Sequence, residues 1–172
     1  MTVFHALAAW LPALMVVVGF GCGSRVAPGD DAAPPATASA AAAPFALVRA
    51  RPHVPVAVLA AEEGARADAD GQKLVIYVGA PWCEPCGHFH AAAVRGDLGP
   101  DWAGLRVLEF NLDEDEARLT AAGCRSRMIP LFARVTPDGR CDETRRIMGS
   151  VKGSGAVANL TPRVRVLFAP PR

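Results

Sequence analysis

An apolar, β-branched run, Leu74-Val75-Ile76-Tyr77-Val78, leads through Gly79-Ala80-Pro81 into Trp82-Cys83-Glu84-Pro85-Cys86. The run has the length of a buried strand, and the residues after it, Glu84 to Arg95, carry a helical pattern with Cys86, Phe89, His90 and Ala93 on one side. A cysteine pair spaced by two residues at a strand-to-helix junction is suited to redox chemistry. On the first turn of a helix, positions i and i+3 share a face, so two sulfurs can close a small disulfide ring. The unpaired N–H groups and dipole of the helix N-terminus favour an anion there. Cys83 is therefore expected to be the attacking thiolate, and Cys86 the resolving thiol.

Two other readings of the same residues stay open. Cys83, Cys86 and His90 lie at i, i+3 and i+7, with His88 nearby, which would suit a copper or zinc ion. Against a structural zinc site, no second ligand pair follows, and no histidine occurs after His90. A static disulfide is the third reading.

With 172 residues the chain can hold one domain of ordinary size, although its first quarter does not read as part of it. The 18 basic and 17 acidic residues leave a net charge of +1, which supplies no electrostatic reason for nucleic acid as a partner. Hydrophobic residues make up 51%, but much of that is alanine near the N-terminus and overstates the core.

Ala6 to Phe20 form an apolar run interrupted by Pro12 and Gly19, short for a membrane span. The run stops at Gly21-Cys22-Gly23-Ser24, and a cysteine after such a segment resembles a bacterial lipoprotein signal cut before Cys22 and acylated on its sulfur. Gly19-Phe20-Gly21 departs from the usual Leu-Ala-Gly, and no Lys or Arg precedes the run. Residues 1–22 are thus expected to be a signal segment, placing the rest in the periplasm or on the outer surface, membrane-anchored through Cys22, with ordinary signal cleavage or an uncleaved anchor as the alternatives. Residues 23–44, rich in Ala and Pro, have almost nothing large to bury and are expected to be a disordered linker with a reach of roughly 25 Å. Residues 45–172 are expected to be the folded domain.

Within that domain, His53 to Leu59 reads as a short strand before a helix, Ala60 to Ala69, ending at Asp70-Gly71. Leu105 to Leu112 reads as the next strand, and Asp113-Glu114-Asp115-Glu116 opens a helix with acids at its favoured end. Leu131 to Val135 and Thr144 to Met148 flank Pro137-Asp138-Gly139-Arg140, a turn between antiparallel strands. The last segment is ambiguous: Val157, Leu160, Val164 and Leu167 fit a helical face, but Pro162 interrupts it and Val164, Val166 and Phe168 alternate. The order of elements implies an α/β sandwich with a central mixed sheet covered by helices.

Trp82-Cys83-Glu84-Pro85-Cys86 after a hydrophobic strand, Ile129-Pro130 before Leu131-Phe132, Asn111-Leu112-Asp113 at a strand end, Asp138-Gly139 and Gly149 together resemble the thioredoxin superfamily. The resemblance spans most of residues 53–160 and implies a thioredoxin-like three-layer sandwich. It also implies a protein-disulfide oxidoreductase without cofactor or metal, acting on protein or small-molecule disulfides and recharged by a membrane or envelope redox partner. A monomer is expected. By the same resemblance Pro130 is cis, presents backbone to substrate beside Cys83 and keeps metal off the dithiol, with Trp82, Pro85 and Ile129 supporting the site. Glu84-Pro85 resembles the dipeptide of membrane-tethered reducing members that serve cytochrome c maturation, a likeness resting on one residue that leans towards a reductase.

One departure bears on mechanism. The family's buried aspartate, six residues before the first cysteine, is Tyr77 here, and a lysine common on the next strand is Glu109. Glu109 or His90 is therefore the expected acceptor of the resolving proton. Once Cys22 is assigned to lipid, Cys124 and Cys141 remain, either as a disulfide or as two free thiols, with Cys124 expected in a loop near the active-site surface.

Overall fold

The structure is a computed structural model that describes residues 43–169. The predicted signal segment 1–22, with Cys22, and all but the last two residues of the predicted linker 23–44 lie outside the described residues. Among the described residues, no helix is long and apolar enough to cross a membrane.

The chain alternates β1 (Ala46–Arg49), α1 (Val56–Ala69), β2 (Lys73–Gly79), α2 (Glu84–Arg95), β3 (Leu105–Asn111), α3 (Leu112–Ala121), β4 (Leu131–Val135), β5 (Cys141–Met148) and α4 (Ala156–Val166). Its five strands form one sheet in the order β1-β3-β2-β4-β5. β1 and β2 both run parallel to β3, whereas β4 is antiparallel to β2 and to β5. The central strand β2 is apolar on both faces because helices cover both. Ile76 and Val78 pack with Val56 and Leu59 of α1 and Leu119 of α3. Val75 and Tyr77 face the other way, towards Phe89 of α2 and Leu160 and Val164 of α4. The result is the mixed-sheet, three-layer α/β sandwich expected.

Several local expectations change. The first strand is Ala46–Arg49, not His53 to Leu59. His53 has φ 61°, a left-handed conformation that no strand continues through, and Val56 to Leu59 form the first turn of α1. That helix buries Val56, Leu59, Ala60, Glu63 and Ala67, a helical spacing that the local alternation around Val54 concealed. β5 begins at Cys141 rather than Thr144. On α2 the buried residues are Pro85, Cys86, Phe89 and Ala92, so His90 and Ala93 do not share that face fully. The ambiguous last segment is helical, with Pro162 inside it, and it buries Ala156, Leu160 and Val164.

Cys124 and Cys141 form a disulfide with both residues buried. Because α3 leaves the end of the sheet where β3 stops, its last turn and Cys124 lie at the opposite end, where Cys141 pairs with Val135. Cys124 is therefore not near the active-site surface, and of the two readings its sulfur is bonded rather than free. The bond closes a short loop, and loops of about this size contribute roughly 3 kcal/mol. Replacing both Cys124 and Cys141 by Ala should lower unfolding free energy by about that amount in urea titrations under oxidising conditions.

Candidate active site

Cys83 and Cys86 are joined by a disulfide at the N-terminus of α2. Cys83 is the N-cap: its sulfur accepts the Cys86 N–H at 3.3 Å, and Pro85 sits in the first turn, where a missing N–H costs nothing. Both cysteines are almost fully buried and pack with Ile129 in the cluster that contains Tyr77 and Phe89. The Ile129–Pro130 peptide is cis, and Pro130 is buried at the start of β4.

Trp82 is 66% exposed beside the dithiol, and its indole N–H donates to both carboxylate oxygens of Asp113 at 3.1 Å. Asn111 caps α3 by accepting the Asp113 N–H, which fixes that carboxylate in place. Met128, 58% exposed, and Val151 add further apolar surface on the loops before β4 and after β5. Glu84, between the cysteines, accepts the N–H of Gly153 at 2.9 Å and so ties α2 to the loop before α4. Sequence reasoning missed the roles of Asp113, Met128 and the Glu84 contact. Only the Asn N-cap carried a local signal for the first.

Beneath the dithiol, a cavity of about 500 Å³ is lined by Tyr77, Gly79, Cys86, His90 and Glu109. Tyr77 and Glu109 are register partners on β2 and β3, so their side chains share a face of the sheet. His90 reaches down from α2 to place Nε2 3.6 Å from Glu109 Oε2. Burial holds the Glu109 carboxyl above the usual carboxylate range, opposed by the nearby His90 and Arg49. Burial and the adjacent Glu109 push the Tyr77 phenol far upward, so it stays neutral. A larger cleft of about 900 Å³, between α1 and α3, contains neither Cys83 nor Cys86.

The structure thus brings together Cys83, Cys86, Trp82, Pro85, Ile129 and Pro130, and places Glu109 and His90 in contact below them. It does not assemble the alternative metal set. The sulfurs of Cys83 and Cys86 bond to each other, His90 turns to Glu109, and among the described residues no three His, Cys, Asp or Glu side chains are grouped to hold an ion.

Gly79 ends β2 under the Tyr77 ring, and a Cβ built there would stand 2.4 Å from the Tyr77 hydroxyl. Gly79→Ala should therefore destabilise the fold by about 1–3 kcal/mol. Shortening the ring as Tyr77→Val should make the same Gly79 substitution nearly neutral, a coupling that a double-mutant cycle in urea would measure.

No protein-family model and no curated protein matches the chain. Solved structures resembling it include thioredoxin O1 of Arabidopsis thaliana in its oxidised state, 18% identical over 72% of this chain and 99% of that one, with TM-score 0.43. A poplar thioredoxin h is 17% identical over 72% and 98%, with TM-score 0.46. A protein titled Trxlp from Edwardsiella tarda is 21% identical over 66% and 97%, with TM-score 0.40. The strand order β1-β3-β2-β4-β5, with Cys83–Cys86 opening α2 after the central strand, makes this a thioredoxin-like α/β sandwich.

Proposed function

We propose that the protein is a thiol–disulfide oxidoreductase that reduces protein disulfides in the bacterial cell envelope. The Cys83–Cys86 disulfide at the N-terminus of α2 carries this reading. In its dithiol form, the Cys83 thiolate attacks a substrate disulfide and expels one substrate thiolate. Cys86 then attacks Cys83, breaks the mixed disulfide and releases the second, so two electrons pass to the substrate and the pair is left oxidised. The exposed Trp82 and Met128 beside the pair favour a protein substrate over a small polar one.

Glu84 supports the reductive direction. An acidic side chain on the first turn opposes the Cys83 thiolate, and disfavouring the reduced form makes a couple more reducing. Cys83→Ser should abolish turnover of a disulfide substrate, and Cys86→Ser should accumulate a mixed disulfide visible by mass spectrometry. A potential near about −270 mV fits the reductive role, and one near about −120 mV overturns it.

The buried Cys124–Cys141 disulfide supports export, because such bonds persist in oxidising compartments. Cys22 would anchor the domain there. Cys22→Ser should move the protein from the membrane fraction to the soluble envelope fraction.

A further inference from the structure

We propose that Glu109 is the proton acceptor for Cys86 in the resolving step, with His90 positioning and tuning it across the cavity below the dithiol. This deepens the oxidoreductase reading and rests on it. The step needs a base because Cys86 must lose its proton before attacking Cys83. Tyr77 stands where an acid would serve, but its phenol stays neutral and cannot accept that proton. Glu109 is the carboxylate alongside it in the sheet, and its side chain is only 19% exposed.

The cavity joins Glu109 to Cys86 and provides room for water to carry the proton between them. Cys86–SH gives its proton to the Glu109 carboxylate. The Cys86 thiolate then bonds to Cys83 Sγ as the Cys83–substrate bond breaks, and the electron pair leaves on the substrate thiolate. The carboxyl finally yields its proton to that thiolate or to solvent, past the half-exposed His90.

Groups on every neighbouring element set the charge of Glu109. His90 comes from α2, Arg49 is its register partner on β1, and Tyr77 adjoins it on β2. From α3, Glu114 pairs with Arg49, while Asp115 and Arg118 pair with each other at the cavity wall. Burial raises the Glu109 carboxyl, bringing its basicity closer to neutral pH. Its basic form exists above that raised value, so resolution should slow as pH falls through it.

Reduced protein mixed with dithiobis(nitrobenzoate) releases one coloured thiolate when Cys83 attacks and a second when Cys86 resolves, so stopped flow separates the steps. Glu109→Gln should leave the first phase unchanged and slow the second about 100-fold at neutral pH. His90→Ala should move the acidic limb of the second phase to higher pH, since it removes the neighbour that favours the carboxylate, and Glu109→Asp should keep the limb. A second phase in Glu109→Gln with the wild-type rate and pH profile overturns the proposal. If Glu109→Gln does not fold, an acidic limb unmoved in His90→Ala, or lost in Glu109→Asp, overturns it instead. Folded wild-type protein that releases neither thiolate overturns the oxidoreductase reading itself.

Discussion

The Tyr77 side chain holds the active-site end of this molecule together. It lies between the sheet and α2, stacked on Phe132 and tilted against Phe89, each with ring centroids 4.8 Å away. Phe89 in turn packs on Trp102, whose indole N–H donates to Thr161 of α4. Burying such rings contributes on the order of 2 kcal/mol each, and aromatic geometry adds orientation to that. The N-terminus of α2, and with it the cysteine pair, is therefore seated on a rigid aromatic layer.

The same ring dictates its surroundings. It occupies the space that a side chain at position 79 would need, which makes Gly79 a steric requirement rather than a conformational one. Its bulk and neutrality also displace the polar chemistry of the cavity to the adjoining strand. Glu109 lies on an otherwise apolar face, where Leu105 and Val107 precede it, and burial without full pairing makes its carboxyl harder to ionise. Packing and proton chemistry are coupled at one pair of register partners.

Much of this was legible along the chain. The limits of α2 follow from Cys83 as cap, Pro85 in the first turn and Gly96 in the left-handed conformation at the end. β2 announced itself by an unbroken apolar run. β1 did not, because a four-residue edge strand carries little pattern, and Val54 to Val56 mimicked strand alternation that His53 and Pro55 interrupt. The site was legible where a local motif carried it, as at Trp82 to Cys86, and silent where it depended on segments distant in sequence, as at Asp113, Met128 and Gly153.

By itself the sequence determined the alternation of elements from β2 to β5, the dithiol at a strand-to-helix junction and the absence of an acid at position 77, because each depends on neighbours within one or two turns of chain. Tertiary structure decided which charges meet. Cys124 paired with Cys141 because α3 carries it to the far end of the sheet, and Glu109 met His90 because parallel register and the seating of α2 converge on one cavity. Such contacts depend on strand order and helix placement, which residue spacing alone does not encode.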